Sequence, residues 1–310
     1  MARAGEAGED LVAVPVRSAS VAPSAPGSAP GSAPVLGAAP HQALRSHVSR
    51  YVQLALDVPR AETMRHQLSA FTGSVAAVIW SGEVNMEGAG ISGPIMQRCM
   101  IGPLTRWHDN ALSGSLRSFC VHFTPLGANA LLGLCGGGLD DRAVALDDVL
   151  CQGRAAESRA WADEVMHARS FDERVDATDR FLLRRLRCAA RPVDLVACAV
   201  TRLVRSDQRI DRVSTLAAEL SCSERTLRRH FHRELGLSVK TFARITRFQH
   251  THAFLQGTAR AHWSEAVARF GYVDQAHLIR EYREFAGTTP PRFSAHERFL
   301  DAALATGSGL

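Results

Sequence analysis

Four basic side chains, Arg225, Arg228, Arg229 and His232, stand at i, i+3, i+4 and i+7. On a helix that spacing puts them in one stripe. Leu227, Phe231 and Leu235 recur at i, i+4 and i+8 and take the other face. A guanidinium on an exposed stripe can bridge N7 and O6 of guanine in a major groove, each good pair giving ~1–3 kcal/mol of base discrimination. A solvated arginine face has the same pattern, so the elements around the stripe must decide between the two.

Those elements read as a helix, a tight turn and a second helix. Ser214 is the expected N-cap of the first, with Leu216, Ala217 and Leu220 as its buried face. Ser221-Cys222 supplies the turn. Ser223 caps the second helix, and Glu224 faces its positive dipole end. The pattern then returns. Ser264 to Tyr272 reads as a short helix ending at Gly271, which suits a positive-φ turn. Asp274 caps the helix that follows, with Leu278, Tyr282 and Phe285 inward. Leu227, Arg229 and Phe231 correspond to Leu278, Arg280 and Tyr282 at an offset of 51, whereas Ser221 corresponds to Gly271 at 50. The second turn is therefore one residue longer. Gln275, Ala276, Ile279 and Arg280 lie on the outward face of that second helix, and Ala276 and Ile279 make the face apolar. Val239 to Gln256, with Phe242, Ile245, Phe248 and Phe254 for packing, is predicted to be a connecting helix. A rigid connector would hold two readers on one DNA face about one helical turn apart.

The charge distribution agrees. Of 36 Lys+Arg and 31 Asp+Glu in 310 residues, the stretch 192–300 holds 17 and 11, a balance of +6, and the remainder is near neutral. A local basic excess fits a polyanion partner. Lys240 is the only lysine, so arginine usage overall reflects more than bidentate chemistry. Seven scattered cysteines without a CxxC pair suit a reducing compartment. No apolar run reaches the roughly 18 residues of a membrane span, and the N-terminus is a poor secretory signal, so the expectation is a cytoplasmic chain with no membrane partner.

The expected organisation is α+β. Residues 1–40 are an Ala/Pro/Gly/Ser-rich tail with too little apolar surface to offset chain entropy. Residues 41–155 form a mostly β, sensor-like domain with a few helices. Its strands are Ser74 to Trp80, Gln97 to Ile101 and Arg117 to Phe123, the last alternating as a half-buried strand does. Ala128 to Leu134 is a short helix. Residues 156–191 are a helical connector, split in two near Asp172 and Asp176. Residues 192–300 are all helix and turn, with Pro192 in a first turn, and 301–310 are a flexible tail.

The stretch from about Asp211 to Phe293 resembles the DNA-binding domain of AraC/XylS-family bacterial transcription regulators. Leu216-Ala217, Ser223, Leu227, Arg229-His230-Phe231 and Leu235-Gly236-Leu237-Ser238 carry the likeness in the first half. Ala266-Val267, Phe270-Gly271-Tyr272, Asp274-Gln275, Arg280-Glu281-Tyr282 and Gly287-Thr288-Thr289-Pro290 carry it in the second. The resemblance implies two recognition helices entering successive major grooves, with Arg225, Arg228 and Arg229 as contacts of the first and Gln275 and Arg280 of the second, and double-stranded DNA and RNA polymerase as partners; no nucleophile–base or metal-ligand pattern stands out, so no cofactor and no enzymatic activity are expected. Ser221 departs from the usual turn Gly, and Val267 from the usual Ala. More loosely, Gly102 to Arg106, Phe123 to Gly133 and Val144 to Asp148 resemble an uncharacterised N-terminal domain of some such regulators. That likeness implies a domain that senses a small-molecule effector or mediates homodimerisation.

Other candidate chemistry is weaker. His230/His232 and His250/His252 are i, i+2 pairs that diverge on a helix and so make no metal chelate. Gly136-Gly137-Gly138 lacks the Lys-Ser/Thr of a phosphate loop. Asp140-Asp141 and Asp147-Asp148 read as solvated loops before metal ligands. Cys120 with His122, and Trp80 with Trp107-His108, read as core before pocket. Two other functions stay open: a DNA-tethered enzyme with its active site in 41–190, and a non-specific architectural DNA binder.

Overall fold

The computed structural model describes residues 35–59, 61–88, 91–134, 138–150, 155–187, 194–205, 212–257 and 263–289. Most of the expected N-terminal tail, Gly136-Gly137, Pro192, the motif end from Pro290 to Phe293 and the C-terminal tail lie outside them. The described strands form an antiparallel sheet of β1 (Val35–Ala38), β2 (Val48–Asp57), β3 (Met64–Leu68), β4 (Ser74–Gly88), β5 (Ile91–Pro94), β6 (Arg98–Ile101), β7 (His108–Phe123) and β8 (Ala143–Ala145). The strand order is β1-β2-β7-β4-β6-β8, with β3 added to β7 and β5 to β4. Strand β1 lies inside the segment expected to be a tail. It pairs with β2 from Val35↔Leu54 to Ala38↔Tyr51, and this tertiary pairing overrides the weak local signal.

Strands β4 and β7 run well beyond their expected lengths and pair from Ser74↔Phe123 to Gly88↔His108. The register shifts around Ser81, where Gly82 adopts φ +78° and a β-carbon would stand 2.6 Å from the α-carbon of Leu116. A bulge there bends the pair, so β7 joins β2 along its second half and β3 along its first. The curled sheet is buried on both faces. Phe119, Val121 and Phe123 meet α1 (Gly127–Leu132), α2 (Leu146–Val149), α3 (Ala155–His167) and α4 (Phe171–Leu186) through Leu131, Val149, Trp161 and Phe181. Cys120 faces the other way, into a core with Val52, Val75, Phe71 and Leu104. The expectation of a half-buried strand at 117–123 is therefore corrected: a central strand with cover on each side needs no polar face.

Helix α5 (Asp194–Arg205) opens the C-terminal region. It is followed by α6 (Val213–Glu219), α7 (Glu224–Leu235), α8 (Val239–Gly257), α9 (Trp263–Arg269) and α10 (Gln275–Ala286). Two cores form along α8. Phe242 closes the first with Val196, Leu216, Leu227 and Phe231, whereas Ile245 and Phe248 close the second with Ala266, Leu278, Tyr282 and Phe285. Both cores also touch the sheet region. Leu126 packs against the first, and Ala70 lies in the second.

Candidate nucleic-acid interface

The two helix-turn-helix units superpose in sequence as closely as their elements imply. Helices α7 and α10 are each 12 residues long, and each begins 51 positions from its counterpart (224 and 275). The Ser223 hydroxyl accepts from Thr226 N at 3.1 Å and the Asp274 carboxylate from His277 N at 2.6 Å, so both helices have side-chain N-caps. Gly236 and Gly287 end them at φ +73° and +72°. In the preceding turns Ser221 takes φ +53° and Gly271 +67°. The serine thus carries the left-handed conformation without glycine's freedom. Ser214 is not an N-cap. Helix α6 begins at Val213 after an extended Arg212, and no side chain caps it.

On α7, Leu227, Phe231 and Leu235 are buried, and Arg225, Arg228, Arg229, His232 and Arg233 are exposed. The expected stripe is therefore assembled on one outward face. Arg228 donates to Glu224 at 2.6 Å along the helix surface. Nη2 of Arg233 lies 3.0 Å from Nδ1 of His230. On α10, Gln275, Ala276 and Arg280 are exposed and Ile279 is partly covered. Arg283, which sequence reasoning passed over, is exposed at the position matching His232. The 51-residue offset was the signal that would have found it. With Arg280 and Arg283 both outward, the second face is more basic than expected. Val273, just before the N-cap, is 73% exposed and extends that face's apolar end.

A buried ion cluster seats α10 on α8. Glu281, 2% exposed, accepts from Arg244 Nε at 2.9 Å and Arg247 Nη2 at 2.8 Å. Arg244 also reaches Glu284 at 2.6 Å. The two guanidinium groups lie over Phe285 and Tyr272 at 4.9 and 4.6 Å. Burial first, and then the Glu281 charge, raise the Tyr272 phenol above its ordinary range. The first unit has an apolar seat instead, with Phe231 edge-on to Phe242 at 5.3 Å. The sequence clue to the ionic seat was Glu281 itself, a charge on the inward stripe three residues after Leu278.

The remaining candidates fall in cores or loops. Nδ1 of His252 meets the Tyr282 hydroxyl at 2.6 Å, and His250 is buried. Among the described residues no group of three or more His, Cys, Asp or Glu is placed to hold a metal ion. Burial raises the Cys99 and Cys120 thiols to about 12, so neither is a ready nucleophile. His122 is wholly buried, and among the described residues neither ring nitrogen has a hydrogen-bond partner. Burial first, and then the charge of Arg50, hold it neutral. Trp80 stacks under Arg174 at 4.7 Å, apart in role from Trp107, and His108 is buried. Asp141 and Asp147 do not sit in solvated loops: Asp141 binds Thr105, and Asp147 pairs with Arg98 and Arg159. No described helix is long and apolar enough to cross a membrane.

Residues 216–296 match the family described as "Helix-turn-helix domain". Among solved structures the chain is similar to ToxT from Vibrio cholerae, with 11% identity over 79% of this chain and 98% of that one and a TM-score of 0.45. A second structure, unsaturated fatty acid-bound ToxT from Vibrio cholerae, gives 9% identity, 75% and 94% coverage and a TM-score of 0.42. The AraC-like transcriptional activator CuxR gives 14%, 75% and 88%, and 0.25. No curated protein sequence matches the chain. The C-terminal region is a tandem helix-turn-helix domain of the AraC type. A domain of this type makes the chain a DNA-binding transcription regulator.

Proposed function

We propose that the chain reads a specific DNA sequence by placing α7 and α10 in two successive major grooves, under control of the sheet region. The observation that supports this reading is the duplication. Two capped 12-residue helices, one 51 positions after the other, turn equivalent basic stripes to solvent. Arg225, Arg228, Arg229 and His232 form the first contact set, and Gln275, Arg280 and Arg283 the second. Guanidinium groups supply both phosphate neutralisation and guanine readout, so affinity falls with salt while base preference persists. Most sequence discrimination belongs to α7, whose stripe holds more hydrogen-bonding side chains than that of α10. The sheet region, buried on both faces, is the candidate receiver of a small-molecule effector or the surface of a homodimer, and RNA polymerase is the downstream partner.

Selection from a random DNA pool with the full chain tests the reading. The expected product is a bipartite motif with its two parts about one helical turn apart. Recovery of unenriched sequence, with equal affinity for random competitor, would assign a non-specific binder instead.

A further inference from the structure

Both recognition helices end against the sheet region, at equivalent positions. A β-carbon on Gly287 would stand 2.6 Å from the Trp107 ring and 3.0 Å from Nε2 of Gln67. One on Gly236 would stand 3.2 Å from Oδ1 of Asp140 and 3.7 Å from N of Gly138. Each C-cap therefore uses glycine twice over, for its positive φ and for close approach. Beside Trp107, Ala70 N donates to Phe285 O at 2.8 Å, satisfying a last-turn carbonyl of α10.

The loops that carry Trp107 and Asp140 are a single hydrogen-bonded piece. The Asp141 carboxylate accepts from Thr105 N at 2.7 Å and also from the Thr105 hydroxyl. Asp141 N donates to Pro103 O at 2.8 Å, and Gly102 N to Arg142 O at 3.0 Å. Gly102 is pressed against Leu139 O with no room for a side chain. Asp141 holds φ +51°, a strained conformation for an L-residue that these bonds maintain. Between the two units themselves the shared element is α8, along which their cores are separate. The 19-residue helix α8 is one tie between the two readers. The loops that carry Trp107 and Asp140 meet both recognition-helix ends as well.

We propose that Trp107, Asp140 and Asp141 are positioning residues for DNA recognition: their platform gauges the separation of α7 and α10, and so the subsite spacing the protein accepts. This rests on the reading of α7 and α10 as DNA readers.

Two measurements on the full chain test it. The first is amide hydrogen exchange of the free protein at Gly236 and Gly287, whose N–H groups donate to His232 O and Arg283 O. Trp107→Ala is expected to speed exchange about tenfold or more at both sites, although Trp107 contacts only the second. Asp141→Gly, which removes the carboxylate and relieves the φ strain, should do the same. Acceleration confined to Gly287 in Trp107→Ala overturns the coupling. The second measurement compares binding to the selected DNA with binding to the same DNA carrying one extra base pair between its parts. The insertion should weaken the unsubstituted protein about 30-fold, roughly 2 kcal/mol, and the variants less than about threefold. Equal penalties in all proteins overturn the proposal. Should Trp107→Ala fail to fold, Asp140→Ala serves for both measurements, its exchange effect beginning at Gly236. If no sequence is selected at all, the reader assignment falls, while the exchange result still decides whether the platform couples the helix ends.

Discussion

Three side chains show how local chemistry translates into measurable behaviour. Arg229 stands mid-stripe on α7, exposed and opposite buried Leu227 and Phe231. Replacing it with Ala should weaken the selected site by ~1–3 kcal/mol while leaving thermal unfolding unchanged, as read by fluorescence anisotropy beside circular dichroism. Ser221 pays for φ +53° where the matching turn has Gly271. Ser221→Gly exchanges a left-handed penalty of ~1–2 kcal/mol for glycine's entropic cost of ~0.5–1. A net gain of up to ~1.5 kcal/mol should appear in denaturant midpoints. His122 is held neutral in the fold, well below its ordinary value, whereas the unfolded chain protonates near pH 6.5. Below that pH the unfolded state binds more protons, so stability is full above about 6.5 and falls on acidification by up to about 1.4 kcal/mol per pH unit. His47, also lowered by burial, adds in the same direction. Urea midpoints between pH 5 and 7.5 should therefore slope less in His122→Leu than in the unsubstituted chain, without becoming flat.

At the scale of elements, the two readers differ in how they are seated. An aromatic contact joins α7 to α8, and the Arg244–Glu281–Arg247 cluster joins α10 to it. A buried ion cluster of this kind contributes little over an apolar replacement but is costly to break on one side, because a desolvated charge is left behind. Glu281→Ala should lower stability by ~3–5 kcal/mol in chemical denaturation, well beyond the ~1 kcal/mol of removing the Ser223 cap. The repeats in α6–α7 and α9–α10 were legible in the sequence because caps, apolar spacing and turn residues are local signals. In the sequence Glu281 stands out only within the family likeness of Arg280-Glu281-Tyr282. Its partners sit 34 and 37 residues away, a pairing that no periodicity reveals.

Over the whole molecule, the charge asymmetry and the duplicated readers make one shared prediction. If about six phosphates are neutralised, log K should fall against log salt with a slope near −5, a loss of about 10³ between 50 and 200 mM. Anisotropy titrations over that range check it, and a shallow slope would remove the basic face from the interface. The primary structure by itself determined both units, their one-residue difference in turn length, the connecting helix and the outward arginine stripe. Each follows from side-chain type at helical spacing, and burial simply obeyed it. Strand β1, the cover on both faces of β7, the Asp141 loop and the seating of Gly236 and Gly287 on the sheet region were decided by tertiary structure. These depend on which distant backbones meet, and short β segments and loop carboxylates carry no local record of their partners. The stripe from Arg225 to His232 was thus visible at once as an outward basic face. The platform proposed to gauge its distance from the second stripe, Trp107, Asp140 and Asp141, lies more than 80 positions away from it.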